Sequence, residues 1–194
     1  MDSFRNELIA RFAWIAGHAD VLGMLADGRF LASAADALAD PFRDVEVTKI
    51  AAIEARGFVF GSAVALRLEV GFVAIRKLGS IHRGAKVERT TGPDWRGRRN
   101  VLRLQRAALT RDDRVLLVDD WAEMGSQALT ARLLIEDCGA HYLGLSLLVD
   151  QLQLPRGTAA LKSGARGVRR RGVRALAATA GGRRRDARPP RRQR

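Results

Sequence analysis

Cysteine is nearly absent. Cys138 is the only one in 194 residues, so no disulfide can form within the chain, a usage that fits a reducing compartment. No apolar run approaches the ~18 residues of a membrane-spanning helix. The first residues, Met1-Asp2-Ser3-Phe4-Arg5-Asn6-Glu7, lack the basic-then-apolar build of a secretion signal. A cytoplasmic protein without a membrane partner is the expectation. No G-x-G-x-x-G follows a strand-like run, which disfavours a dinucleotide-binding unit. Hydrophobic residues make up 47% of the chain, an ordinary share for a globular protein, and the length is sufficient to bury one domain core.

Acidic residues are scarce in only one place. From Gln153 to Arg194 there are thirteen arginines and one lysine against Asp186 alone, so this tail carries the entire net charge of +13 and residues 1–152 are balanced. The body therefore lacks the basic excess of a nucleic-acid-binding domain. The tail, rich in Arg, Gly, Ala and Pro, has no sustained apolar period and is expected to be disordered. It has two readings. One is a salt-sensitive arm for nucleic acid or another acidic surface, a reading weakened by the absence of aromatic residues among its arginines. The other is an unselected tail, for which an out-of-frame read of a GC-rich gene would also account. A domain at 1–152 followed by a basic tail at 153–194 is the expected division.

Along the body, Ser3 to Ala16 has Leu8, Phe12 and Ile15 at helical spacing, with Gly17 as its stop. Ala19–Leu25 and Leu31–Leu38 are two further short helix candidates on either side of Gly28, the second halted by Asp40-Pro41. Lys49–Ile53 reads as a strand, Phe58–Leu68 as a helix and Val70–Ile75 as a strand, together a βαβ unit with parallel pairing. Arg76–Arg99 is polar, holds Gly79, Gly84, Gly92 and Gly97, and has little period. Such a stretch inside a compact domain is usually functional, often a lid. Asn100–Arg106 alternates like a strand. Val115–Val118 is a buried strand, Ser126–Cys138 a helix stopped by Gly139, and Tyr142–Val149 a last strand.

The chain is organised around Val115–Gln127, V-L-L-V-D-D-W-A-E-M-G-S-Q. A buried strand runs into Asp119 and Asp120, then a turn with Gly125 and Ser126, then a helix. Ligands of open α/β sheets bind beyond the carboxyl ends of such strands, and a helix start there offers free N–H groups to a phosphate. Arg56-Gly57 occupies the same topological place after the Lys49–Ile53 strand. Each feature also has a plain reading: a solvated strand end for the two aspartates, a surface arginine at a turn for Arg56, a charged strand end for Arg76 and Lys77, a solvated turn residue for Glu123.

Three segments in order resemble one family. I-E-A-R-G-F-V-F-G (53–61) is similar to the pyrophosphate-loop segment of adenine phosphoribosyltransferases. V-G-F-V-A-I-R-K-L-G (70–79) looks like the strand and Arg-Lys step that leads into their flexible loop. Residues 115–127 resemble the phosphoribosyl pyrophosphate signature of type I phosphoribosyltransferases. The resemblance spans roughly residues 45–150. It implies an α/β fold with a mainly parallel central sheet, helices on both faces and a small N-terminal helical hood, assembled as a homodimer. It also implies transfer of ribose 5-phosphate from phosphoribosyl pyrophosphate to a purine, with Mg²⁺ carried on the pyrophosphate rather than by a protein metal site. Asp119 and Asp120 would hold the ribose hydroxyls and favour positive charge developing on the sugar. Backbone N–H groups of Glu123, Met124, Gly125, Ser126 and Gln127 would hold the 5-phosphate. Glu54, Ala55, Arg56 and Gly57 would face the pyrophosphate, and Arg76 and Lys77 would neutralise it as it leaves. The family's loop commonly reads Ala-Thr-Gly-Gly-Thr, so Met124 replaces a hydroxyl that Ser126 could supply. The flexible loop lacks the usual tyrosine-and-glutamate pattern, leaving Asp94 and Glu88 as acids and Trp95 as a stacking ring. A phosphoribosyl pyrophosphate-binding regulator without turnover is the competing reading.

Overall fold

The computed structural model describes residues 2–15, 18–81, 83–94, 96–122, 124–150 and 152. The expectations placed on Gly17, Trp95, Glu123 and the 153–194 tail lie outside them.

The N-terminal hood is α1 (Asp2–Arg11), a two-stranded hairpin of β1 (Trp14–Ile15) and β2 (His18–Ala19), the single turn α2 (Val21–Met24), and α3 (Gly28–Ala39). It departs from the sequence expectation in three ways. The first helix stops at Arg11 because the next residues enter the hairpin. That hairpin also takes Ala19 out of the second helix, which shrinks to one turn capped by the Asp20 carboxylate on Gly23 N at 2.8 Å. The third helix starts earlier than its apolar run, since Asp27 accepts from Arg29 N at 2.8 Å and Phe30 N at 3.3 Å. Asp40-Pro41 ends that helix in a 3₁₀ turn, Asp40–Phe42, where proline suits a first-turn position.

The body is a six-stranded sheet built from β3 (Lys49–Ile53), β4 (Gly71–Lys77), β5 (Lys86–Thr90), β6 (Val101–Gln105), β7 (Arg114–Ala122) and β8 (His141–Asp150), in the order β5-β6-β4-β3-β7-β8. The β4-β3-β7-β8 portion is parallel; β6 and β5 are antiparallel additions at one edge. Helices α4 (Arg56–Leu68) and α5 (Ser126–Asp137) make the two crossovers. Those crossovers step outward from the central β3–β7 pair in opposite directions, so connections of one hand place the helices on opposite faces. The cores show this. Val115 and Leu117 pack with α5 (Ala131, Leu134, Ile135), while Leu116 and Val118 pack with Phe60 and Val64 of α4 and with the hood. A strand buried on both faces needs no polar alternation, which is why V-L-L-V is continuous. Gly61 lets α4 lie on β3, since a Cβ there would stand 2.7 Å from the Ala52 Cβ.

The segment 76–99 is more ordered than its sequence implies. Strand β5 lies within it, paired along its length with β6. Its side chains are mostly exposed at the sheet edge, so no apolar alternation betrays it. Arg89 ties this ribbon to α5 through a two-pronged ion pair with Asp137. Strand β7 also continues past its apolar run, and Asp119 to Ala122 still pair with β8.

Candidate active site

The chain order reverses between β3 and β7, and ligands of open α/β sheets bind outside the strand ends at such a point. A cavity of about 260 Å³ lies there. On one side is the β3–α4 turn, with Glu54, Ala55, Arg56 and Gly57. On the other are Asp119 and Asp120 of β7 and the turn into α5, with Met124, Gly125, Ser126 and Gln127. Lys77 and Asp94 complete it from β4 and the ribbon loop. Segments far apart in the chain therefore share one cavity.

Asp120 is buried, and its Oδ2 stands 2.9 Å from Arg56 Nε. The angle of that ion pair makes no hydrogen bond, so Asp120 Oδ2 is a buried oxygen without a donor. Asp119 Oδ1 accepts from the Asp120 N–H at 3.0 Å. Burial pushes Asp119 well above the usual carboxylate range, and the neighbouring Asp120 charge adds to it. Burial raises Asp120 as well, against the Arg56 guanidinium. Two adjacent carboxyls with one cation and a spare acceptor suit hydroxyl donors or positive charge from a ligand.

The turn into α5 has the form of an anion site. Gly125 adopts φ +71° at the capping position and has no side chain to offer, so among the described residues the first N–H groups of the helix have no side-chain cap. Met124 is 60% exposed and offers no hydrogen-bonding atom on its side chain.

Arg76 and Lys77 are placed differently. Successive residues of a strand point to opposite faces, and only Lys77 lines the cavity. Arg76 Nε donates to Glu54 Oε2 at 3.1 Å, and its guanidinium also donates to Ile81 O at 2.9 Å. Glu54 accepts from Lys77 N and Ser80 Oγ, each at 2.6 Å. Burial raises the Glu54 carboxyl, but those three donors outweigh it and hold the group below its ordinary range. Glu54 thus lines the cavity while anchoring the start of the ribbon. Ser80 was not singled out in the sequence; nothing there signals a partner 26 residues away.

Of the two acids in the ribbon, Glu88 pairs with Arg103 across β5–β6 at 2.8 Å, whereas Asp94 lines the cavity. Asp94 Oδ1 accepts from Arg96 N and Arg98 N at 2.9 and 2.8 Å, an acidic turn signalled by Asp94 and Gly97. Trp121 also lines the cavity, its ring stacked on Phe12 at 6.0 Å between centroids.

Residues 23–157 match the family model described as the phosphoribosyl transferase domain. The chain belongs to the phosphoribosyl transferase domain family. Among relatives of this family, the adenine phosphoribosyltransferase of Dinoroseobacter shibae is 41% identical over 131 residues, covering 68% of this chain and 72% of that protein. That of Myxococcus xanthus is 35% identical over 134 residues, covering 68% and 70%. Among solved phosphoribosyltransferase structures, adenine phosphoribosyltransferase from Rhodothermus marinus superposes with a TM-score of 0.71 at 26% identity, over 77% of this chain and 87% of that one. The Saccharomyces cerevisiae enzyme, solved with an imino-altritol bisphosphate and adenine, superposes with a TM-score of 0.69 at 27% identity, over 76% and 89%.

Proposed function

We propose that this chain is an adenine phosphoribosyltransferase: it transfers the 5-phosphoribosyl group from phosphoribosyl pyrophosphate to a nitrogen of adenine and releases pyrophosphate. The C1–O bond to pyrophosphate breaks with its electron pair leaving on pyrophosphate, the C1–N bond forms, and the purine nitrogen gives up its proton. The observation that carries the reading is the Asp119–Asp120 pair at the end of β7, between the uncapped start of α5 and the β3–α4 turn.

In this reading the two carboxylates accept the ribose hydroxyls and offset positive charge at C1 in the transition state. The N–H groups from Met124 to Gln127, with Glu123 before them, hold the 5-phosphate. Arg56 and Lys77 face the pyrophosphate, Arg56 by leaving Asp120. Ala55 and Gly57 bring backbone close to it, while Arg76 serves through its bond to Glu54 and fixes the turn. Magnesium comes as part of the substrate, riding on the pyrophosphate; the described residues gather no three-ligand cage of His, Cys, Asp or Glu, and the reading needs none. The compartment is the cytoplasm, consistent with the single cysteine.

A homodimer is part of the same reading. Its support is a set of exposed apolar side chains, Val59 and Leu66 seven residues apart on one side of α4 and Phe72 of β4, which are 38%, 80% and 37% exposed. Light scattering should give twice the chain mass, and Leu66→Glu should give the single mass.

The test of function is turnover with phosphoribosyl pyrophosphate and Mg²⁺, offering adenine, hypoxanthine, guanine and uracil separately and reading pyrophosphate release. Release with adenine alone is the expected result. Release with another base alone would replace the substrate. Met124, with its apolar side chain in the phosphate turn, favours the competing regulator. That reading predicts silence with all four bases, together with saturable phosphoribosyl pyrophosphate binding that Asp119→Ala plus Asp120→Ala abolishes.

A further inference from the structure

Gly57 lies in the first turn of α4, buried beneath the Asp119 carboxylate. A Cβ on Gly57 would stand 2.6 Å from Asp119 Oδ1 and 3.4 Å from its Cγ, with Val118 O farther off at 3.6 Å. Real side chains do not approach so closely, so either the carboxylate or the helix would have to shift. The backbone of Gly57 is helical and asks for no glycine. At a helical position with free space, alanine in place of glycine ordinarily stabilises a protein. Gly28, in the first turn of α3, is such a position, with nothing within 4 Å of its would-be Cβ. The two glycines thus separate the general effect of a methyl group from the particular effect of one beside Asp119.

We propose that Gly57 is a positioning residue for the transfer step: the space left by its missing side chain is the seat of the Asp119 carboxylate. The oxygen that a Gly57 Cβ would meet is the same one that accepts the Asp120 N–H at 3.0 Å. Displacing it breaks that bond and moves the carboxylate away from the sugar. Ala55 occupies the capping position of α4 and gives the helix no side-chain cap. Around the carboxylate stand Asp120 of its own strand and Arg56 of α4, with Glu54, Lys77 and Asp94 lining the same cavity. In this structure Arg56 pairs with Asp120 rather than Asp119, which leaves the backbone of α4 as the surface against which Asp119 is placed. The role in transfer rests on the proposed function above; the contact itself does not.

The experiment is a cycle of four full-length chains, wild type, Gly57→Ala, Asp119→Ala and the double variant, with Gly28→Ala as a control. Melting temperature, kcat and the KM for phosphoribosyl pyrophosphate are measured on each. Gly28→Ala should melt no lower than wild type. Gly57→Ala should melt lower, and the double variant should melt no lower than Asp119→Ala alone, because the atom met by the new methyl is gone. In the wild-type background Gly57→Ala should lower kcat by about 10- to 100-fold, the scale of a misplaced reacting group, and change KM much less, since the phosphate anchors stay in place. An equal loss of melting temperature in both backgrounds would overturn the proposal and point to a backbone clash. So would a Gly57→Ala enzyme with wild-type kcat. If Gly57→Ala does not fold at all, recovery of folding in the double variant supports the contact and its absence overturns it. If the melting cycle behaves as expected while no chain turns over, the seat stands and the assigned reaction fails.

Discussion

At the scale of single residues the site turns on two adjacent aspartates whose charged forms are opposed by burial. Asp119 is pushed toward its protonated form by burial and by the neighbouring Asp120. An acid whose folded pKa is raised contributes stability that is fully present below its unfolded pKa and is lost as pH rises through the folded one. Ionisation of Asp119 therefore weakens the fold. Asp119→Asn should raise the melting temperature by a few degrees, the response of a domain this size to about 1 kcal/mol. The same change should cut kcat by about 100-fold or more, as loss of a charge aimed at the transition state does. Calorimetry and turnover on one preparation check both. The pair also sets a pH limit. In the proposed reaction turnover needs both carboxylates ionised, so the acidic limb of kcat/KM should lie above the ordinary carboxylate range. Arg56 is the cation that opposes protonation of Asp120. Arg56→Gln should move that limb to higher pH, a shift that simple loss of a pyrophosphate contact would not produce.

Among elements, the strands that carry the site are joined at their far ends by a polar pin. Thr48 precedes β3 and Asp113 precedes β7. Thr48 Oγ1 donates to Asp113 Oδ1 at 3.0 Å and accepts from Arg114 N at 2.8 Å. Asp113 Oδ2 accepts from Thr110 N at 2.7 Å, with Lys49 Nζ 3.5 Å away. Burial raises Asp113, but these donors outweigh it and hold the carboxyl below its ordinary range. Its stabilisation is present above the unfolded pKa and is lost as pH falls through the folded one. Asp113→Ala should cost about 2–3 kcal/mol at pH 7, the range for hydrogen bonds to a charged group. In urea unfolding the gap to wild type should narrow as the pH is lowered through the carboxylate range. This pin also shows where sequence reading reaches its limit. Strands β3, β7 and β8 and helix α5 were legible because burial on both faces leaves uninterrupted apolar runs and a period near 3.6. The acidic pair and the turn after it were legible because they follow such a run. The Asp113 pin, the Glu54–Ser80 bond and strand β5 were not. Each depends on partners distant in the chain, or on an exposed edge with no apolar pattern. Arg76 and Lys77 look equivalent in the sequence, but a strand sends neighbours to opposite faces, and only Lys77 reaches the cavity.

Across the whole molecule, charge and fold occupy different parts of the chain. The cores that fix the site draw on residues from Leu8 to Val149, and residues 1–152 carry no net charge. The family model ends at residue 157. Beyond that point lie twelve of the tail's thirteen arginines and its one lysine, against Asp186. A cluster of this density neutralises polyanions by releasing their counterions, an effect that weakens steeply as salt rises. The two properties should then separate cleanly. Deleting residues 158–194 should leave kcat, KM and melting temperature at their full-length values, because the site and both cores are retained. The full chain should bind a heparin column and elute late in a salt gradient; the shortened chain, close to neutral, should pass through. A drop in turnover on truncation would mean that the tail reaches the site and would move the boundary of the catalytic unit. Retention of the shortened chain would mean that the balanced body has a basic face of its own. Arg43, Arg67, Arg89, Arg103 and Arg132 each stand in an ion pair with an acidic neighbour, which opposes such a face and makes flow-through the expected result.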